Sequence, residues 1–165
     1  MIDISEIIKE TIDNGKFGCG IFIDLKKAFD TVNHNILLTK LEHYGVRGVL
    51  LKWFESYLSN RSQYVFCNGV KSDILNITCA VPQGSVLGPL LFLLYISDLP
   101  NISSKLNFFL FADDTNIYYE SNDLKELEKT VNQELKLLSQ WLNVNRLSLN
   151  VKKIILLYFG LIGNK

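Results

Sequence analysis

The doublet Asp113-Asp114 lies between two apolar runs, Leu106-Asn107-Phe108-Phe109-Leu110-Phe111 before Ala112 and Thr115-Asn116-Ile117-Tyr118-Tyr119 after it. Strands rarely carry Asp and adjacent like charges repel, so the doublet is most economical in a tight turn with a cation to neutralise it. The 106–119 segment is therefore expected to be a hairpin with a reactive acidic tip, and a divalent metal is the leading candidate for the cation. An ordinary solvated turn is the alternative, since Asp is common in turns.

The other periodicities decide what such a hairpin can join. Phe17 to Leu25 reads as a buried strand, because its centre, Cys19-Gly20-Ile21-Phe22-Ile23, carries no charge before Asp24. A carboxylate at the end of such a strand is costly unless it is satisfied. Helices are expected over Ile2–Asp13, Asn33–Tyr44 and Arg47–Leu58, the last with Val49, Leu50, Trp53, Phe54, Tyr57 and Leu58 inward. Ser62–Asn68 and Lys71–Ala80 read as a hairpin about Asn68-Gly69. A helix over Gly88–Leu99 has Pro89 in its first turn. A longer one over Asp123–Asn145 opens on a capping-box-like Asp123 and Glu126, and strands near Leu147–Asn150 and Ile154–Phe159 close the chain as a pair.

Strand, helix, hairpin, helix and strand give β-α-β-β-α-β, an α+β, ferredoxin-like order with extra helices and a hairpin inserted after the first strand. In that order the first strand lies in mid-sheet beside the hairpin, so topology brings Asp24 towards Asp113.

A chain of 165 residues, 48% hydrophobic, suits one globular domain with its own core. Seventeen basic residues balance 17 acidic ones, which argues against a module that grips nucleic acid by bulk charge; any such contact must be local or shared with other segments. Cys19, Cys67 and Cys79 lack the close pairing of zinc sites or disulfide frameworks and read as buried thiols in a reducing compartment. The longest apolar stretch, Val86–Ile96, is too short to span a bilayer, and no basic leader opens the chain. A soluble, intracellular protein of nucleus or cytoplasm is expected.

Three carboxylates on one sheet edge make a site for hard cations, which take oxygen ligands and, for magnesium, keep water and substrate phosphate in the remaining positions. Two ions about 3.5–4 Å apart lower the pKa of an attacking hydroxyl and stabilise a departing pyrophosphate. That chemistry is nucleotidyl transfer.

The ordered set Phe22-Ile23-Asp24-Leu25-Lys26-Lys27-Ala28-Phe29-Asp30, Val81-Pro82-Gln83-Gly84-Ser85-Val86-Leu87-Gly88-Pro89 and Phe111-Ala112-Asp113-Asp114 resembles the A, B and C motifs of reverse transcriptases. The wording is most similar to that of non-LTR, LINE- or jockey-like retrotransposons. Likeness continues through Asp30-Thr31-Val32-Asn33-His34, Tyr57-Leu58-Ser59-Asn60-Arg61 and Leu147-Ser148-Leu149-Asn150-Val151-Lys152-Lys153.

The resemblance implies a polymerase palm, a DNA primer on an RNA template, and deoxynucleoside triphosphates as substrates. It implies Asp24 and Asp113 as ligands of two Mg2+ (or Mn2+) ions, the Leu25 carbonyl completing one site, and Asp114 beside the primer terminus. Phe29 would lie under the incoming sugar and exclude a 2′-hydroxyl. Gln83 and Gly84 would pack against the incoming nucleotide. Lys153, or its neighbour Lys152, matches the D-motif lysine, a proton donor to pyrophosphate; Ile154 departs from the Thr common after that lysine.

Residues 1–160 are thus expected to be a partial reverse transcriptase domain with motifs A to D, 161–165 a tail, and fingers, thumb and endonuclease to lie outside the chain. Two other readings stay open at this level: a truncated, catalytically inactive retroelement remnant, and a ferredoxin-like RNA-binding module. The second lacks the aromatic and basic strand pattern such modules use.

Overall fold

The computed structural model describes residues 4–82 and 84–160. Its elements run α1 (Ile4–Asp13), β1 (Phe17–Asp24), α2 (His34–His43), α3 (Val49–Leu58), β2 (Ser62–Gln63), β3 (Phe66–Cys67), β4 (Val70–Lys71), β5 (Leu75–Asn76), α4 (Leu87–Ile96), β6 (Asn107–Phe111), β7 (Asp114–Ser121), α5 (Leu124–Val144) and β8 (Ile155–Phe159). Tight 3-10 turns occupy Ala28–Asp30, Leu99–Ile102 and Val151–Lys153. The chain divides into two compact units, one of the segments up to Lys26, Asp98–Val144 and from Ser148 onward, the other of Lys27–Ser97 and Asn145–Leu147.

The first unit holds an antiparallel sheet in the order β6-β7-β1-β8. This is the ferredoxin-like arrangement expected from the element order, with β1 inside the sheet beside the acidic hairpin. An uncharged strand suits that place, and at Gly18 even a β-carbon would run into the Phe159 ring on β8. Cys19, Ile21 and Ile23 of β1 and Thr115 and Ile117 of β7 are buried, as is the α5 stripe of Leu127, Val131, Leu138 and Leu142. Each of those leucines contributes about 1.5–3 kcal/mol by leaving water. At the start of α5, Asp123 Oδ1 accepts from Lys125 N, while the Glu126 carboxylate accepts from Ser121 Oγ, which in turn accepts from Asp123 N. The capping box therefore closes through a hydroxyl relay rather than directly.

α1 packs on the opposite sheet face, where Ile4, Ile8, Phe22, Phe109, Leu157 and Phe159 line a small apolar cavity. Thr11 is fully buried and bonds both the Tyr118 hydroxyl and Glu120 Oε2, and Lys16 Nζ lies 2.6 Å from Glu120 Oε1. Burial pushes the Tyr118 phenol up to about 12, whereas Lys16 and Thr11 hold the Glu120 carboxyl below its ordinary value.

The second unit is built on α2, α3 and α4, with Leu37, Leu41, Leu58, Leu91, Phe92 and Tyr95 buried. Asn33 caps α2 by accepting from Ile36 N, and the Tyr95 hydroxyl donates to Asn145 O at 2.6 Å. α4 stops at Ile96 rather than Leu99, because Pro100 has no N–H to give to the Ile96 carbonyl and the chain tightens into the Leu99–Ile102 turn.

Three other expectations change. On α3, Val49, Leu50 and Trp53 are exposed, at 86%, 54% and 48%, and only Leu58 is buried. Its apolar residues run most of the way round, so periodicity could not choose the inward face. The Asn68-Gly69 hairpin forms with positive φ at both turn residues, yet it breaks into two short pairings, β3 with β4 and β2 with β5, all exposed. Of the cysteines only Cys19 is buried, which raises its thiol to about 11; Cys67 and Cys79 are exposed.

The closing strands also do not pair with each other. Both lie along β1: Leu149 bridges Leu25, and β8 pairs from Phe22↔Ile155 to Gly18↔Phe159. Between those two pairings β1 advances from 22 to 25 while its antiparallel neighbour runs back from 155 to 149. The surplus residues leave the ladder as the Val151–Lys153 turn.

Among the described residues, no helix is long and apolar enough to cross a membrane. The expected tail at 161–165 and the start of the first helix at Ile2 lie outside the described residues.

Candidate active site at the open end of the sheet

β1 ends on Asp24, and its register partner on β7 is Asp114. Asn150 N donates to Asp24 O and Lys26 N donates to Ser148 O. Those bonds turn the Asp24 backbone polar groups towards the 148–150 segment, so Asp24 and Asp114 form a non-hydrogen-bonded pair, the closer type, with Cα atoms about 4.5 Å apart. Both side chains project from the same sheet face. Like charges directly opposite one another are destabilising, and here they stand at the last rung of the ladder.

Phe111 pairs with Asp114, leaving Ala112-Asp113 as a two-residue turn. Ala112 has φ 51°, and Asp113 is not among the positive-φ residues, the sign pattern of a II′ rather than a I′ turn. Left-handed backbone costs an alanine about 1–2 kcal/mol, so the turn keeps its shape against a local penalty.

An open cleft of about 620 Å³ lies at this end, lined by Asp24, Phe111, Asp114, Asn116, Lys152 and Lys153 among others. The Asp24 side chain is 17% accessible, and Lys153 Nζ stands 3.1 Å from its Oδ2. Asn150 Nδ2 donates to the same oxygen at 2.7 Å. Asn150, then Lys153, hold the Asp24 carboxyl below the usual carboxylate range. The Leu25–Leu149 bridge sets Asn150 opposite Asp24, and the Val151–Lys153 turn takes up the surplus residues while Lys153 still reaches the same carboxylate.

Leu25 is buried, and its bridge to Leu149 is bounded by the hydrogen bonds of Asp24 and Lys26. Its own N–H and C=O therefore face the other way, to the side of β7. The structure thus brings Asp24, Leu25, Asp114 and Lys153 to one end of the sheet, with Asp113 in the turn beside Asp114.

Phe29 and Gly84 belong to the second unit. The Phe29 ring packs on Phe92 at a centroid distance of 4.7 Å, and its carbonyl accepts from Val81 N. Gly84 has φ +80°, which alone explains glycine there. Gln83 lies outside the described residues. Arg61 is fixed rather than loose, its Nε donating to Tyr57 O and its guanidinium lying 4.7 Å from the Tyr57 ring centroid. Asn150, which bonds Asp24, and Asn116, which lines the cleft, were not expected from the sequence. Asn150 stood within a motif-like stretch, but its reach to Asp24 depends on a turn that no periodicity announces.

Among the described residues, no three His, Cys, Asp or Glu side chains converge as a ready metal cage. The donor chemistry nonetheless suits a hard cation: two opposed carboxylates, a third acid next in sequence and a backbone carbonyl turned to the same side, all oxygen. Lys153 and Asn150 both meet Oδ2 of Asp24, and a divalent ion would draw on the opposed carboxylates together.

Residues 3–159 match the family model described as reverse transcriptase (RNA-dependent DNA polymerase). The chain belongs to the reverse transcriptase family. The RNA-directed DNA polymerase from mobile element jockey of Drosophila melanogaster is 30% identical over 151 residues, 87% of this chain and 16% of that protein. The probable RNA-directed DNA polymerase from transposon BS of the same species is 30% identical over 165 residues, 92% of this chain and 17% of that one. The chain thus spans about a sixth of the length of these curated relatives. Among solved structures, apo telomerase from Candida tropicalis, truncated from its C-terminal domain, superposes with a TM-score of 0.66 at 16% identity, covering 100% of this chain and 37% of that one. That likeness shows the fold, a reverse transcriptase palm, and the family assignment agrees with the non-LTR wording of the three motifs.

Proposed function

We propose that this chain carries the catalytic palm of an RNA-directed DNA polymerase, adding deoxynucleotides to a primer 3′-hydroxyl on an RNA template. The observation that carries the proposal is the pairing of Asp24 with Asp114 at the open end of the sheet, beside Asp113 and Lys153. Asp24 and Asp113 would hold two Mg2+ ions, or Mn2+ in their place, with the Leu25 carbonyl as a further ligand. When bound, such ions acidify the attacking hydroxyl and neutralise charge on the leaving pyrophosphate.

The remaining work falls to the chain. Asp114 would stand beside the primer terminus and orient it. The primer 3′-hydroxyl would lose its proton to water, its oxygen would bond to the α-phosphorus as the bond to the pyrophosphate oxygen breaks, and Lys153 Nζ would give a proton to the leaving group and regain one from water. Lys153 must leave Asp24 to do so, and its side chain is 65% accessible. Phe29 would reject a ribose 2′-hydroxyl, while Gln83 and Gly84 would pack against the nucleotide. An intracellular setting, nuclear or cytoplasmic, belongs to the same reading.

The test is primer extension on poly-rA/oligo-dT with Mg2+ or Mn2+, run beside Asp24→Asn and Asp113→Asn. Extension by the parent chain and its loss below detection in both variants is the expected result. A well-folded parent chain that extends nothing with either metal overturns the reading for this chain in favour of an inactive remnant. Tight, metal-independent RNA binding without extension would point instead to an RNA-binding module.

A further inference from the structure

Asn150 occupies the N-cap position of the Val151–Lys153 turn, yet its side chain makes no capping bond there. An asparagine at such a position ordinarily spends its side chain on the following backbone N–H groups. Here the amide turns to Asp24, and because a carboxylate only accepts, the NH2 must face it. The backbone joins in: Asn150 N donates to Asp24 O, and Asn150 O accepts from Lys153 N. One residue thus fixes Asp24 at its main chain and its carboxylate, and also anchors the turn that presents the lysine.

Both side-chain donors land on Oδ2 of Asp24. They are different in kind. The Lys153 ammonium is a charge, and an incoming cation competes with it for the same carboxylate. The Asn150 amide is neutral, competes with nothing and can stay in place when a metal binds. Its hydrogen bond fixes the rotation of the carboxylate, so that Oδ1 is left for a metal.

We propose that Asn150 is a positioning residue for Asp24, an amide clamp that pre-orients the carboxylate for a divalent cation, while Lys153 is the displaceable charge that occupies the acid until the cation arrives. The inference rests on the metal-site reading of Asp24 given above. It requires opposite effects from two neighbouring substitutions, which loss of local structure would not produce.

The measurement is Mn2+ binding to the whole chain, followed by the electron paramagnetic resonance signal of free aquo-Mn2+, with thermal melting of every variant alongside. Asn150→Ala is expected to weaken binding on the order of tenfold, the lower end of what outer partners of ligands are worth. Asn150→Ser, which keeps a donor, recovers part of that loss and carries the test should the alanine variant fail to fold. Lys153→Met is expected to tighten binding. Asp24→Asn abolishes binding if Asp24 is a ligand; unchanged binding there overturns the metal-site reading itself. If Asp24→Asn loses Mn2+ while Asn150→Ala binds like the parent chain, the clamp alone is wrong. Weakening by Lys153→Met equal to that of Asn150→Ala also overturns it.

Discussion

The two ends of the four-stranded sheet meet the same problem, polar and charged side chains on a sheet face, and solve it in opposite ways. At the Gly18–Glu120 end, α1 covers the face, and Thr11, Tyr118, Glu120 and Lys16 satisfy one another. At the Asp24–Asp114 end the sheet face borders an open cleft, two carboxylates oppose each other, and a left-handed alanine shapes the turn. A network closed on itself rigidifies, whereas at the acid pair Asp24 is held through Oδ2 by Asn150 and an accessible, displaceable lysine, which leaves room for a partner brought from outside. One sheet thus keeps its own stability at one end and its capacity to bind at the other.

That contrast is open to measurement. The largest stability effect is expected from Thr11→Val, which strips the buried Tyr118 hydroxyl and Glu120 of a partner at near-constant volume. It should cost about 2 kcal/mol in denaturant unfolding and leave Mn2+ affinity unchanged. Coupled loss of metal binding would break the separation of the two ends.

A smaller effect is expected in acid. Glu120 and Asp24 both have folded-state values below their unfolded ones, so the stability they add is present above the ordinary carboxylate range and is lost as pH falls through the folded values. Unfolding followed from pH 6 downward should show that loss, with roughly half a kilocalorie per mole removed from it in Glu120→Gln, the scale of a solvent-exposed ion pair.

The smallest change has the opposite sign. Asp114→Asn removes the cross-strand repulsion and should raise stability by a few tenths of a kcal/mol in metal-free buffer, while primer extension falls. Destabilisation by this substitution would mean that the acid pair is already neutralised without a metal.

Much of this contrast was legible in the residues. The uncharged Cys19–Ile23 run and the apolar flanks of Asp113-Asp114 decide which strands are interior, and strand order then carries Asp24 to the hairpin. What stayed hidden depends on tertiary choice. The α3 residues Val49, Leu50 and Trp53 have no periodic reason to face out, and the Asn68-Gly69 turn is a strong local signal attached to strands with no covered face to hold them. Asn150 was hidden for a third reason: a three-residue departure from ladder register alters which residue stands opposite Asp24, and hydrophobic alternation does not record it.

The position of the acid pair on the ladder has a dynamic consequence. Because Asp24 and Asp114 share a non-hydrogen-bonded rung, nothing in the backbone between them fixes their separation; the rung beneath, Ile23 with Thr115, does so. Thr115 is 2% exposed, so its amide should exchange with solvent slowly. The distance between the two carboxylates is then a fraying coordinate, and whatever tightens the Ile23–Thr115 rung narrows the spread of geometries that an arriving cation encounters.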